Sequence, residues 1–221
     1  MKHESILVAS ERPVVQTRPA LALDIGERLF VLALAALFLV RMIPAIGAGG
    51  TGTSVICNLL ITVSEGLTAL FTLVRRPGLA ATSLYAWAIS IAGTCSPLLI
   101  APGGMVLLPP ALALALMIAG LAFSIAGKSM LRRSFGIVPA NRGVQRGGAY
   151  RIVRHPIYAG FLLAHVGFLA ANFTAWNASV YAVCWLAMFL RIAAEEEMLS
   201  ADPAYLLYAS HVRNRLIPGL W

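Results

Sequence analysis

The sequence predicts an all-α fold, a multispanning integral membrane bundle of about six transmembrane helices, and three observations predict it. Of the 221 residues, 59% are hydrophobic and only 12% are Asp, Glu, Lys or Arg, about half the charged share of a soluble domain. Several apolar runs approach the roughly 20 residues that a helix needs to cross a bilayer. The basic residues fall in alternate intervals between those runs, which is the pattern of cytoplasmic loops.

Residues 1–20 contain Glu4, Glu11, Arg12, Pro13, Arg18 and Pro19 without an apolar block, and the tail is taken to run to residue 28. They read as a short cytoplasmic tail and not as a signal peptide, whose apolar centre follows a basic start. Four spans are expected within 29–126: about Leu29–Ile46, Thr53–Val74 (stopped by Arg75-Arg76-Pro77), Leu79–Ile100 and Met105–Ala126. Residues 127–221 form a third region, a basic loop followed by spans at about Ile157–Ala175 and Asn177–Ile192 and a C-terminal segment. Trp176 and Asn177 leave room only for a tight hairpin between the last two spans. With the N-terminus inside, 16 of the 17 Lys and Arg lie on the inner side and only Arg41 lies outside. Both termini and the 128–156 loop therefore face the cytoplasm. The composition suits a bacterial inner membrane.

The net charge of +8 invites a nucleic-acid reading, but basic cytoplasmic loops account for it, so no nucleic acid is expected as a partner. Cys57, Cys95 and Cys184 form no CxxC pair; they read as apolar thiols, and no metal site is expected. Residues 47–52, GAGGTG, satisfy G-x-G-x-x-G but join two spans, whereas the dinucleotide fingerprint works between a strand and a helix. They are a turn. Asn172 and Asn177 match glycosylation acceptors of a kind common by chance. Glu65 falls mid-span, where an ionisable group is costly and a functional candidate; a carboxyl bonded to a neighbouring helix, helped by Thr62, Ser64 and Thr68, is the preferred reading.

Chemistry collects in the last third. In RIVRHPIYAG (151–160), Pro156 can occupy the first helical position. Arg154 and His155 then lie just outside a helix start, whose free N–H groups favour an anion; anchoring to anionic headgroups is the alternative for Arg151 and Arg154. Tyr158, His165 and Asn172 recur every seven residues along one face, either lining a cavity or bonding between helices. Bonding is preferred for all but Tyr158. In RIAAEEEMLSADPAYLLYASHVRNRLIP (191–218), Arg191 and Glu195 share a face, while Glu196 is turned by about 100°.

Taken together, G-x-Y, RHP-x-Y-x-G at 154–160, R-x-x-x-EE-x-x-L at 191–199, Y-x-x-Y at 205–208 and LIP at 216–218 resemble the isoprenylcysteine carboxyl methyltransferase family. The related phospholipid N-methyltransferases share this pattern. The resemblance covers roughly residues 128–221. It implies S-adenosylmethionine bound at the cytoplasmic membrane face, with contacts from Val144, Gln145, Tyr150, His155, Pro156 and Tyr158. Glu195 matches the cofactor carboxylate, with Glu196 as its neighbour, and Arg191 matches the arginine near the reacting group. Arg191 and Glu196 are the catalytic candidates, and Arg154 or the helix-start N–H groups could hold the cofactor's own carboxylate. One departure is Ala201-Asp202-Pro203, where the family often has Phe-Gly, which bears on how the C-terminal lid closes.

The activity implied is methyl transfer to a lipophilic acceptor, a small molecule, a lipidated substrate or a membrane lipid. A carboxylate such as an isoprenylcysteine-type carboxyl is favoured, and an ethanolamine headgroup amine is the alternative. An amine must first lose a proton, which would give His155 or a glutamate a base role. A nicotinamide-dependent sterol-type reductase shares a similar C-terminal architecture, but RHP-x-Y and the paired acids favour methyl transfer.

Overall fold

In the computed structural model the described residues are 18–47, 52–76, 78–101 and 103–221. The expectations for the tail at 1–17 and for most of the GAGGTG turn lie outside them, as do the side chains of Arg41 and Cys57. The described chain is helical: α1 (Arg18–Gly47), α2 (Gly52–Val74), α3 (Leu84–Cys95), α4 (Pro110–Leu131), α5 (Pro156–Ala171), α6 (Ala175–Leu199) and α7 (Pro203–His211). A two-residue antiparallel pairing joins β1 (Leu79–Ala80) to β2 (Ala140–Asn141). Among the described residues, two helical stretches are long and apolar enough to cross a membrane. They are Pro110–Ser134, with mean hydropathy 2.0, and Ala175–Leu199, with mean hydropathy 1.4.

Several boundaries differ from those expected, each for a local reason. The third helix begins at Leu84, five residues late, because Leu79 and Ala80 pair with β2 and Ser83 caps the helix by accepting the Ala86 N–H. It gives way at Ser96–Leu99 to a 3-10 turn containing Pro97. The fourth helix waits for Pro110, its first residue, since proline lacks the N–H that a helix interior needs. Residues 105–107 bond instead to Phe173 and Ala170 across the α5–α6 turn. That turn is Asn172–Thr174, ahead of Trp176 and Asn177, because Thr174 caps α6 by accepting the Asn177 N–H. Asn177 is fully buried, with its amide bonded to Ala101 and Asn172, so it is no glycosylation site. α6 runs on to Leu199, two turns past Ile192.

α4 and α5 form the tightest pair, and small residues are the reason. A Cβ on Gly120 would lie 2.5 Å from the Gly160 carbonyl oxygen; one on Gly160 would lie 2.5 Å from the Ser124 nitrogen. Farther along, Gly167 meets Ala113 and Met117, and Gly127 meets Pro156 and Ile157. The order shows that the helices run antiparallel, with backbones in van der Waals contact, the packing that small residues permit. α6 packs separately on α3, where Gly93 faces Ala187. α5 and α6 diverge enough between them to leave a space.

A second anchor ties the N-terminal helices to the basic loop. Glu27, 2% exposed, accepts the N–H groups of Ile137 (2.7 Å) and Val138 (3.1 Å) and pairs with Arg75 at 2.7 Å. Arg75 also binds Asp24, which Arg28 holds at 2.8 Å. Between α2 and α4, Lys128 donates to the Ser64 carbonyl and hydroxyl and to the Thr68 hydroxyl, with Glu65 at 3.8 Å. The neighbouring-helix partner expected for Glu65 is therefore a lysine, and Ser64 and Thr68 serve that lysine, not the carboxylate.

Candidate active site

The doorstep stretch is held from outside by the C-terminus. The N–H groups of Arg154 and His155 donate to the carbonyls of Asn214 (2.9 Å) and Arg215 (3.0 Å). This keeps 154–155 extended until Pro156 opens α5. The geometry aims the Tyr158 hydroxyl at the Glu195 carboxylate of α6, 3.1 Å away. One turn earlier on α6, the Arg191 guanidinium lies 5.2 Å over the Tyr158 ring and donates to the Gly136 carbonyl at 3.2 Å. Arg191, Tyr158 and Glu195 thus form one continuous surface.

Glu196 faces the other way, as the helical rotation requires. It is bonded by His155 Nε2 (3.1 Å), Arg154 (2.9 Å) and Arg215 (2.8 Å), so one carboxylate ties α5, α6 and the C-terminal segment. Arg154 is further committed to the Arg213 carbonyl.

A cavity of about 860 Å³ is lined by residues of α1 to α6 and of the loop after α4. Its polar end is walled by Val144, Gln145, Tyr150, Arg154, His155, Tyr158, Arg191 and Glu195, so these predicted residues come together. Pro156 and Glu196 are not on its wall; Pro156 packs on Gly127 and Glu196 braces the doorstep. The other end is apolar and aromatic, with Met117, Leu121, Phe161, Phe168 and Tyr181. His165 and Asn172 also line it while bonding to their surroundings, His165 to the Trp185 N–H and Asn172 to Gly103, so the stripe does both jobs.

α7 covers the polar end. Asp202 caps this helix by accepting the Ala204 N–H and also accepts from Asn141, while Pro203 takes the first helical position. Ala-Asp-Pro thus starts the lid by its own means. Tyr205 and Tyr208 pack with Tyr150, and the Tyr208 hydroxyl donates to the Tyr150 carbonyl at 2.7 Å. Burial pushes the Tyr150 phenol well above its usual range and Tyr208 up to about 12, so both stay neutral donors.

Residues 104–201 match the model of the isoprenylcysteine carboxyl methyltransferase (ICMT) family. Over this stretch the chain is similar to that family. The ICMT match runs from Gly104 through α6, and so includes the doorstep, Arg191 and both glutamates, but stops short of the lid. No curated protein matches the chain significantly.

The polar end suits S-adenosylmethionine chemically. Glu195 offers a carboxylate to an amino group, neutral phenols and apolar walls suit an adenosine, and Arg142 on the same wall has a buried Nε without a hydrogen-bond partner among the described residues. Sequence reasoning passed over Arg142 and Lys128. A lone arginine in a basic loop looks like a headgroup anchor, and only the tertiary contacts with Glu27 and with Ser64 turn these two cations inward.

Proposed function

We propose that the protein is a membrane-embedded methyltransferase that uses S-adenosylmethionine to methylate the carboxylate of a lipophilic acceptor, at the cytoplasmic face of a bacterial inner membrane. The observation that carries this reading is the single cavity with a polar end and an apolar end, and Arg191 and Lys128 on its wall. S-adenosylmethionine supplies an electrophilic methyl group on a sulfonium. Glu195, oriented by Tyr158, holds its amino group, while Val144, Gln145 and Tyr150 border the adenosine. The acceptor's apolar part fills the Leu121–Phe161–Phe168 end, and Arg191 orients its carboxylate for in-line attack. A carboxylate needs no general base, so positioning and exclusion of water supply the acceleration.

The charges around the cavity favour a carboxylate over an amine acceptor. Lys128, Arg142, Arg154 and Arg191 line it against Glu65 and Glu195. Even with Arg154 answered by Glu196 and Lys128 by Glu65, two guanidinium groups face one carboxylate. A cationic headgroup would meet net repulsion there. In the full six-span arrangement, the basic loop and both termini are cytoplasmic. Two measurements test the reading. Purified protein should bind S-adenosylhomocysteine, and membranes given methyl-labelled cofactor should yield a labelled lipid whose label is released by base. Base-stable label would move the assignment to N-methylation, and absence of binding would remove it.

A further inference from the structure

Arg142 is the least compensated buried cation near the cavity. Its side chain is 3% exposed, and its one close anion is Glu27, at 3.9 Å. Glu27 is already shared with Arg75 at 2.7 Å and with two backbone N–H groups. Within this cluster Arg28, Arg75 and Arg142 stand against Asp24 and Glu27, leaving one positive charge in excess. Burial, with repulsion from Arg75, pulls the Arg142 guanidinium down to about 10 against the opposing pull of Glu27, Asp24 and Glu195. An uncompensated buried charge is costly, and bound anions are a common way to remove that cost.

The surroundings fix where the anion would sit. The guanidinium lies against Gly136, where a Cβ would run into its Nη1 and Cζ. Gly136 is also the residue whose carbonyl accepts from Arg191. Arg142 and Arg191 therefore both touch Gly136, and both line the cavity with Glu195. The alternative cation, Arg154, has both terminal nitrogens engaged, on Glu196 and the Arg213 carbonyl, and only its Nε lacks a partner among the described residues. The N–H groups of Arg154 and His155 are spent on the C-terminal segment.

We propose that Arg142, held in place by Glu27 and Gly136, binds the carboxylate of the methyl donor's amino-acid end, so that Arg142 and Glu195 grip its two opposite charges. This rests on the methyl-donor reading above. A buried guanidinium can meet a carboxylate with two parallel hydrogen bonds, and Nε, the unpartnered atom, belongs to one such fork. Glu27 then acts through Arg142 as a positioning residue.

The test uses two probes on the full chain in detergent, read by calorimetry: S-adenosylhomocysteine, and its analogue lacking only the carboxylate, 5′-deoxy-5′-(3-aminopropylthio)adenosine. Wild-type protein should prefer the carboxylated probe by roughly tenfold or more, as expected for one charge-assisted pair. In Arg142→Gln this preference should fall to within about twofold, with the affinity for the truncated probe nearly unchanged. Should Arg142→Gln fail to fold, Arg142→Lys keeps a charge beside Glu27 but loses the fork, and its preference should drop severalfold. Full preference in the folded variant, or its loss in Arg154→Gln instead, overturns the assignment. Wild-type protein that binds both probes equally also overturns it while leaving the methyl-donor reading intact. Binding of neither probe removes that reading as well.

Discussion

The Tyr158 hydroxyl donates to the Glu195 carboxylate at 3.1 Å, linking the first turn of α5 to the last turns of α6 on the cavity wall. This bond fixes one carboxylate oxygen and leaves the other for a ligand amine. Glu195→Gln keeps the shape but removes the charge. S-adenosylhomocysteine affinity should fall about tenfold to a hundredfold, the range of a charge-assisted hydrogen bond. Tyr158→Phe removes only the orienting bond and should cost about two- to tenfold. Titration calorimetry on both variants checks the order; a larger effect for Tyr158→Phe would contradict it.

Glu196 invites a different expectation. His155, Arg154 and Arg215 all converge on it, and removing one partner from such a buried group leaves the rest uncompensated, at a cost of about 3–5 kcal/mol. Glu196→Ala should therefore lower thermal stability strongly, and Glu196→Gln less so, because the amide oxygen still accepts. Thermal unfolding in detergent, beside turnover, separates the roles. If Glu196→Gln is as stable as wild type, binds the cofactor, and yet does not turn over, Glu196 is a catalytic group.

Acid should loosen the anchor between the N-terminal helices and the loop. Burial would raise the Asp24 carboxyl, but hydrogen bonds from Arg28 and Arg75 outweigh it and hold the group below its ordinary 3.8. A carboxyl with a depressed folded-state pKa contributes stability that is complete above its unfolded value and lost as pH falls through the folded one. The stability of wild type should thus decline below about pH 4, and Asp24→Asn should be less stable at neutral pH with a flatter decline over that window. Chemical unfolding at stepped pH measures both slopes.

What the sequence disclosed follows from how local each signal is. RHP-x-Y and the Glu195–Glu196 pair act within single helix ends, so spacing put Arg191 and Glu195 on one face, and the family resemblance brought Tyr158 to the same site. Glu196 turned away for the same rotational reason. The helix starts at Leu84 and Pro110 were missed because hydropathy ignores Ser83 and Pro109-Pro110, which decide where a helix can begin. Arg142 and Lys128 were illegible for a deeper reason: their partners, Glu27, Ser64 and Thr68, lie more than 50 residues away, and a basic loop gives no hint of which cation turns inward. The α4–α5 seam was in plain view as Ala113, Gly120 and Gly127 opposite Gly160 and Gly167, yet small residues raise no hydropathy signal.

That seam sets a strict size limit. Gly160→Val would place side-chain carbon against the Gly120 carbonyl and the Ser124 backbone, with gaps of 2.5 Å already at the Cβ. Neither helix backbone can yield cheaply, so the helices must separate. Overpacking costs about 1–3 kcal/mol even where side chains can shift, and the penalty here should exceed that. Gly26→Val, where a Cβ meets nothing within 4 Å, is the control and should leave the protein intact. Monodisperse yield by size-exclusion chromatography and thermal unfolding decide between them.

The apolar end of the cavity should set the length of the acceptor without touching the cofactor. Leu121 of α4 and Phe161 and Phe168 of α5 line it, beyond Arg191 as seen from Glu195. Leu121→Trp adds bulk there while leaving the Tyr158–Glu195 pair alone. Long-chain acceptors must then either stop short, which withdraws their carboxylate from Arg191, or push the ring aside. With a series of S-alkyl cysteine carboxylates of rising chain length, wild type should gain in kcat/KM as each buried methylene contributes about 0.8 kcal/mol. The variant should gain only until the chain meets the indole, and lose at least tenfold beyond it, with S-adenosylhomocysteine affinity within twofold of wild type. Equal chain-length profiles in the two proteins would place the acceptor elsewhere.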